Sequence, residues 1–313
     1  MNEQPAGERV VTATLNPTID KAFSVEHVIA ERKLDCDDVR LYPGGGGVNV
    51  ARAATRLGIE PVALWSCGGH TGTSLRGLLD REGVRSRPIP VGQSVRENLI
   101  VHERACQRHF RFGLPGPHLS EQELDLWLET VRSLDPPPDY LVLSGSLPPG
   151  ASAPWFAEVV RAAPPGARVI VDTKRDALLA AIEVGVFLIK PNLHELEELT
   201  GAELPDRRSI EGAARSLIDR GRVRFVLVSL GRGGALLVTE EGCHSLGAPP
   251  VPLKSKVGAG DSMVGGVVTA LARGGSILEA ARFGVAAGAA AVMREGTEIC
   301  RREDTERLYQ EVH

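Results

Sequence analysis

Residues 169–192 read VIVDTKRDALLAAIEVGVFLIKPN. Val169–Asp172 is a short β-branched run, and Ala177–Ile182 has helical spacing. Val186–Ile189 is a second apolar run, broken by Lys190-Pro191-Asn192. A strand, a helix and a strand in so short a span predict a crossover unit of a parallel sheet. The alternation extends both ways. Upstream lie strand Val10–Leu15, ending at Asn16-Pro17, and helix Val48–Leu57, stopped by Gly58. Strand Val62–Ser66, helix Thr71–Arg81 and strand Val84–Val91 follow. Helix Ser120–Leu134 opens on the capping box Ser120-Glu-Gln-Glu123, then strand Tyr140–Leu143 and helix Trp155–Ala163 complete that side. Downstream are helices Leu193–Leu199 and Ser209–Arg220, strand Phe225–Ser229 and strand Ala235–Thr239. A small-residue helix runs to about Ala272, and an alanine-rich one spans Leu278–Met293. The pattern predicts an α/β fold of three layers, αβα, with a mainly parallel central sheet.

Two blocks lack helical text, near 21–42 and 96–112. Stretches Ala22–Val28 and Asp37–Leu41 alternate, as do Leu99–His102 and His109–Phe112. They are expected to meet as one small β-sheet lid inserted in a single domain, 1–313.

The 313 residues carry a net charge of −4, so no basic field draws the chain to nucleic acid or anionic membrane. No apolar run reaches the roughly 18–20 residues that span a bilayer. Met1–Arg9 is polar, without a signal core. A soluble cytoplasmic protein is expected. Cys36, Cys67, Cys106, Cys243 and Cys300 form no C-x-x-C pair, which argues against a metal knuckle or disulfide scaffold.

In open parallel sheets ligands bind beyond the carboxyl ends of the strands. Asp20, Gly44–Asn49, Ser144, Asp172, Lys190–Glu195, Gly231 and Asp261 are all expected just after strands. The Walker P-loop, the dinucleotide G-x-G-x-x-G between a strand and a helix, and the G-x-S-x-G elbow are missing. What remains is Val257-Gly258-Ala259-Gly260-Asp261-Ser262-Met263, after a loop with Pro249, Pro250 and Pro252. Taken alone, the motif serves equally as a capped helix start or a catalytic turn. Phosphoryl transfer suits the full set. Amides of Gly258, Ala259 and Gly260 would face the transferring group, and Asp261 would take the hydroxyl proton as a weak base favoured in its ionised form by the helix dipole. Lys190 would lie along nucleotide phosphates, while Asn192 and Glu195 would hold Mg²⁺ through water.

The stretches Gly44-Gly-Gly-Gly-Val-Asn49 and Val257-Gly-Ala-Gly-Asp261 resemble the two signatures of the ribokinase-like carbohydrate kinases, the PfkB family. Thr14–Asp20, Ser144-Gly-Ser-Leu-Pro-Pro-Gly150, Lys190-Pro-Asn-x-x-Glu195 and Ser229-Leu-Gly231 follow the family's order. Ser144–Gly150, Gly258–Gly265 and Phe283–Gly288 are most similar to the hexose-phosphate branch, on its minor-type bacterial 6-phosphofructokinase side. The resemblance implies a ribokinase-like fold and ATP-dependent phosphorylation of a hexose phosphate, with fructose 6-phosphate the first expectation. A 1-phosphofructokinase, a tagatose-6-phosphate kinase and a non-catalytic sensor are the alternatives. It implies that Asp20, Asn49, Gly45 and Gly46 hold sugar hydroxyls, that Lys33 and Arg96 hold the sugar phosphate, and that Ser144 lines the pocket. Lys190, Asn192, Ser229, Gly231 and Gly234 would contact ATP, Asp261 would be the base, and a homodimer would form lid to lid. Two positions depart from the branch. Asp35 stands where it has a second basic residue, and Arg294 and Glu298 alter the Val292–Glu298 loop implied to hold K⁺.

Overall fold

The structure, a computed structural model, describes residues 9–313. The chain begins with β1 (Val10–Thr14), β2 (Thr18–Val25), β3 (Asp37–Gly44), α1 (Gly46–Arg56), β4 (Val62–Cys67), α2 (Gly69–Arg81) and β5 (Ser86–Pro90). It continues with β6 (Arg96–Glu103), β7 (Arg108–Phe112), α3 (Glu121–Arg132), β8 (Tyr140–Ser144), α4 (Ala153–Ala162), β9 (Arg168–Asp172), α5 (Arg175–Val184) and β10 (Val186–Ile189). It closes with α6 (Leu193–Thr200), α7 (Arg207–Asp219), β11 (Val223–Ser229), β12 (Ala235–Val238), β13 (Cys243–Leu246), α8 (Ala259–Ala272), α9 (Ile277–Val292) and α10 (Arg302–Tyr309).

Nine strands form the main sheet in the order β13-β12-β11-β10-β9-β8-β1-β4-β5. From β11 to β5 every neighbouring pair is parallel, while β12 and β13 return antiparallel. The central strands are apolar on both faces because helices cover both. Leu124, Trp127, Phe156, Leu178, Leu196 and Leu217, from α3 to α7, fill one core. Val50, Val264, Val267, Ala286 and Leu308, from α1, α8, α9 and α10, fill the other. This is the three-layer αβα architecture with a mainly parallel sheet expected from the alternation.

Helix starts follow local chemistry. Capping boxes open α3 (Ser120, Glu123), α6 (Asn192, Glu195), α7 (Asp206, Ser209) and α9 (Ser276, Glu279). Helix α1 starts at Gly46 rather than Val48, so the end of the glycine run is helix and not loop. Strand β13 and helix α10 have no counterpart in the sequence reading. Each is short, and α10 is mostly charged, so neither gives a strong apolar period.

Helices α8 and α9 pack through small residues. A Cβ at Gly266 would lie 2.8 Å from Ala287 Cβ and 2.9 Å from the Phe283 carbonyl oxygen. We expect Gly266→Val to destabilise the protein by about 3 kcal/mol, because a backbone atom blocks the new side chain. A urea midpoint that falls at unchanged m-value checks this.

The two helix-free blocks pair as a second sheet in the order β3-β2-β6-β7. Its centre is the parallel pair β2–β6, where Asp20 stands opposite Asn98 and Thr18 opposite Arg96. Strand β2 begins at Thr18, directly after the Asn16-Pro17 turn. Asp20 therefore lies inside the small sheet, not in the connection after β1 where the sequence reading put it. Side chains alternate across a sheet. Asp20, Arg96, Asn98 and Arg111 share one face, and Lys21, Leu41, Leu99 and Phe112 share the other.

Candidate active site

Register brings the polar strand ends into line. Ser144 at the end of β8 pairs with Asp172 at the end of β9. The Lys190 amide donates to the Val171 carbonyl oxygen at 3.2 Å, just past β10. Asn192 bridges to Ser229 at the end of β11. Leu230 N donates to the Gly234 carbonyl oxygen at 2.8 Å, closing a turn over the 3₁₀ segment Gly231–Gly233.

Helix α8 opens onto this edge. Gly258 is its N-cap, with φ of 76°, and no side chain caps the helix. The first intrahelical bond runs from Ser262 N to Gly258 O at 2.8 Å. The amides of Ala259, Gly260 and Asp261 therefore precede the ladder, and they make an anion-binding start. Asp261 is the third residue of the helix and is not its cap. Its Oδ2 accepts a 2.8 Å bond from Asn49 Nδ2 on α1. Lys190 is buried and pairs with Asp172 at 3.2 Å, and its Nζ would lie 3.4 Å from a Cβ built on Gly260. Its ammonium thus stands beside the exposed helix amides.

Burial pushes the Asp261 carboxyl up to about 6, helped by the nearby Asp172 charge and opposed by the Asn49 hydrogen bond and Lys190. The sequence reading expected a weak base held ionised by the helix dipole. Loss of water and a neighbouring carboxylate outweigh the dipole here. For Lys190, burial acts to lower the pKa, but Asp172 and Glu195 win and raise it above the ordinary value. An ammonium, a proton-accepting carboxylate and unpaired amides can bind a phosphoryl group and deprotonate a hydroxyl beside it.

The small sheet supplies the opposite wall. Asp20 is buried and accepts a 2.9 Å bond from Asn98 Nδ2. Burial raises its pKa, while Asn98, Arg111 and Arg96 pull the other way. Arg96 donates to the Leu114 and Asn16 carbonyl oxygens, each at 3.2 Å. Its buried Nε has no partner among the described residues. Gly45 and Gly46 start α1, where a Cβ on Gly46 would fall 2.3 Å from Ser144 Oγ. Lys33 is exposed in the β2–β3 connection and makes no ion pair among the described residues.

Asn192 and Glu195 cap α6 through each other. Asn192 N donates to Glu195 Oε2, and Glu195 N donates to Asn192 Oδ1, both at 2.9 Å. Among the described residues no group of three or more His, Cys, Asp or Glu converges on a metal position. An all-protein cage is not built here. A hard ion carried on nucleotide phosphates and held through water by an oxygen donor such as Glu195 fits this donor set. In the Val292–Glu298 loop, Arg294 faces Glu298 at 3.9 Å and Asp304 at 3.4 Å.

Three residues at the site had no assigned role in the sequence reading. Asp172 was on the rim but without a task. Asn98 left no signal, being one polar residue in an alternating strand. Arg52 did leave one: a charge among the small residues of α1, fully buried three positions from Asn49.

The family described as pfkB family carbohydrate kinase matches residues 13–304. The chain is 41% identical over 306 residues to an "ATP-dependent 6-phosphofructokinase isozyme 2" of Mycobacterium tuberculosis, covering 96% of this chain and 89% of that protein. It is also 41% identical over 303 residues to the protein of that name in Escherichia coli, covering 96% and 98%. A crystal structure of the E. coli phosphofructokinase-2 in complex with potassium superposes with a TM-score of 0.93 at 40% identity, over 97% of this chain and 99% of that one.

Proposed function

Because the chain belongs to the pfkB family of carbohydrate kinases, we propose that it transfers the terminal phosphoryl group of ATP to fructose 6-phosphate, giving fructose 1,6-bisphosphate. The observation that carries this reading is the Asn49–Asp261 pair at the uncapped start of α8, beside Lys190. Asp261 accepts the proton of the sugar's C1 hydroxyl. With Oδ2 engaged by Asn49, the accepting oxygen is Oδ1. The hydroxyl oxygen bonds to the γ-phosphorus as the bond to the leaving ADP oxygen breaks. The amides of Ala259 and Gly260 stabilise the equatorial charge. Lys190 and the Asn192, Ser229, Gly231 and Gly234 turn hold the nucleotide. Asn192 and Glu195 would hold Mg²⁺ through water, and the ion would supply neutralisation of phosphate charge.

Asp20, Gly45, Gly46, Asn49 and Ser144 hold the sugar. Arg96, whose buried Nε has no partner among the described residues, is the cation best placed for the sugar phosphate, and Arg111 shares its face of the small sheet. Lys33 reaches the site only when its connection closes as a lid. Arg96→Ala is expected to raise the KM for the hexose phosphate about 10–100-fold, as loss of a charge-assisted contact does. Lys33→Ala should act less. A KM effect of Lys33→Ala equal to or larger than that of Arg96→Ala would overturn that ranking.

A substrate panel in an ADP-release assay tests the activity. Fructose 6-phosphate should have the highest kcat/KM, ahead of fructose 1-phosphate and tagatose 6-phosphate. Turnover of ribose or adenosine with no phosphosugar used would overturn the reading. The Arg294 ion pairs put a fixed cation in the Val292–Glu298 loop. On that ground K⁺ is expected to change the rate little. The exposed Val39, Leu41 and Phe112 on the outer face of the small sheet support a homodimer through the lid. A monomer in sedimentation at micromolar concentration would contradict it. The five free thiols suit a reducing cytoplasm.

A further inference from the structure

We propose that Arg52 is a positioning residue that fixes the side-chain amide of Asn49 so that its nitrogen, and never its oxygen, faces Asp261. Arg52 is fully buried in α1. A buried guanidinium needs a counter-charge, and Glu82, at the end of α2, provides it with two bonds of 2.9 and 2.7 Å from Nε and Nη2. Nη1 then has two hydrogens to place. One goes to the Pro43 carbonyl oxygen and the other to Asn49 Oδ1, each at 2.9 Å.

The consequence follows from donor chemistry. A guanidinium offers only donors, so the end of the amide that meets it must be the oxygen. The Asn49 nitrogen is thereby turned toward Asp261, whose Oδ2 it reaches at 2.8 Å. Without Arg52 the amide is free to turn over and set its oxygen against the carboxylate. That contact repels the ionised base. The charged groups that act most strongly on Asp261 are Asp172, Lys190 and Asp20. Arg52 bonds to Asn49, and it is Asn49 that bonds to Asp261. The Asn49 bond, with the Lys190 charge, holds the Asp261 pKa down against burial.

The role rests on Asp261 being the base, so the test reads the carboxylate itself as well as turnover. The protein is labelled with ¹³C at aspartate carboxyls, and the Asp261 signal is assigned by its loss in Asp261→Asn. Two variants are compared with wild type. Arg52→Lys keeps the charge against Glu82 but cannot span Glu82, Pro43 and Asn49. The double variant Arg52→Met, Glu82→Gln removes the buried charge pair together. In either variant that folds, Asp261 should titrate at least about half a pH unit higher, and kcat/KM at pH 6 should fall by about twofold or more relative to its value at pH 8. In an Asn49→Ala background the same changes at Arg52 should add no further displacement. An unmoved titration, or an equal displacement in the Asn49→Ala background, overturns the proposal. Should neither variant fold, the wild-type Asn49 side-chain amide decides: two distinct, slowly exchanging protons support the locked orientation, and fast exchange of both refutes it. A wild type inactive on every acceptor in the panel would instead defeat the kinase reading and leave the carboxylate titration to judge Arg52.

Discussion

Asp261→Asn should lower kcat by roughly 10³-fold, within the range that a positioned general base supplies. Asparagine keeps the shape of the side chain, and its oxygen still accepts from Asn49 Nδ2. Substrate KM values should therefore stay within about threefold. The wild-type kcat/KM should decline on the acid side with a midpoint near the Asp261 value of about 6, because the base must be ionised. Stability moves the other way. The folded carboxyl is pushed up to about 6 from an ordinary value of 3.8, so the native state binds the proton more tightly than the unfolded chain. Wild-type stability consequently falls as pH rises through that window. At pH 8 the ionised, buried carboxylate costs on the order of 2–3 kcal/mol, and the asparagine variant avoids it. Urea unfolding should show the variant more stable at pH 8, with the advantage vanishing as pH approaches 4. Near-normal turnover would remove the base role. An unchanged stability difference across that pH range would show that burial does not strain the group.

Lys190→Met should have the second-largest effect, on ATP use and on folding together. The ammonium is the counter-charge for Asp172 and lies near Glu195 and Asp261. Its folded pKa is raised, so it stays protonated and its contribution is constant across pH 6–9. Removing one partner of a buried pair leaves the other uncompensated, at about 3–5 kcal/mol. Loss of the cation beside the α8 amides should also cut kcat/KM for ATP by roughly 10²-fold. It should move the Asp261 acid limb to higher pH, since Lys190 helps to keep that carboxyl ionised. Lys190→Met, Asp172→Asn separates the two losses. The double variant should recover most of the stability and none of the ATP affinity. Recovery of both would mean that Lys190 serves only Asp172.

The elements were legible where a strong period met a clear stop. Helix α3 was found through Ser120 and Glu123, and β8 through its run of buried residues. The boundaries slipped where glycine obscured the signal. Gly46 and Gly47 fell outside the expected helix because glycine is a poor helix former, yet close packing of Gly46 on the end of β8 and of Gly47 on the end of β1 recruits them into α1. Strand β2 slipped for another reason. Its first residues, Thr18–Asp20, are buried by pairing with β6, almost eighty positions away, and no local pattern reports that.

The sequence alone determined the strand–helix alternation, and with it a parallel sheet whose carboxyl edge carries the polar residues. It also determined the class of chemistry, because Gly258–Asp261, Gly44–Asn49 and Lys190–Glu195 each encode a local backbone shape or charge. Only the tertiary structure decided how these act on one another. It set the strand order, turned Asp20 into the small sheet, and placed Lys190 between Asp172 and the start of α8. It raised the Asp261 carboxyl to about 6, against the expectation from the helix dipole. It also joined Arg52 to Asp261 through Asn49. Helix and strand signals lie within a few neighbouring residues. Desolvation, Coulomb interaction and hydrogen-bond direction depend on groups that meet only after distant segments pack.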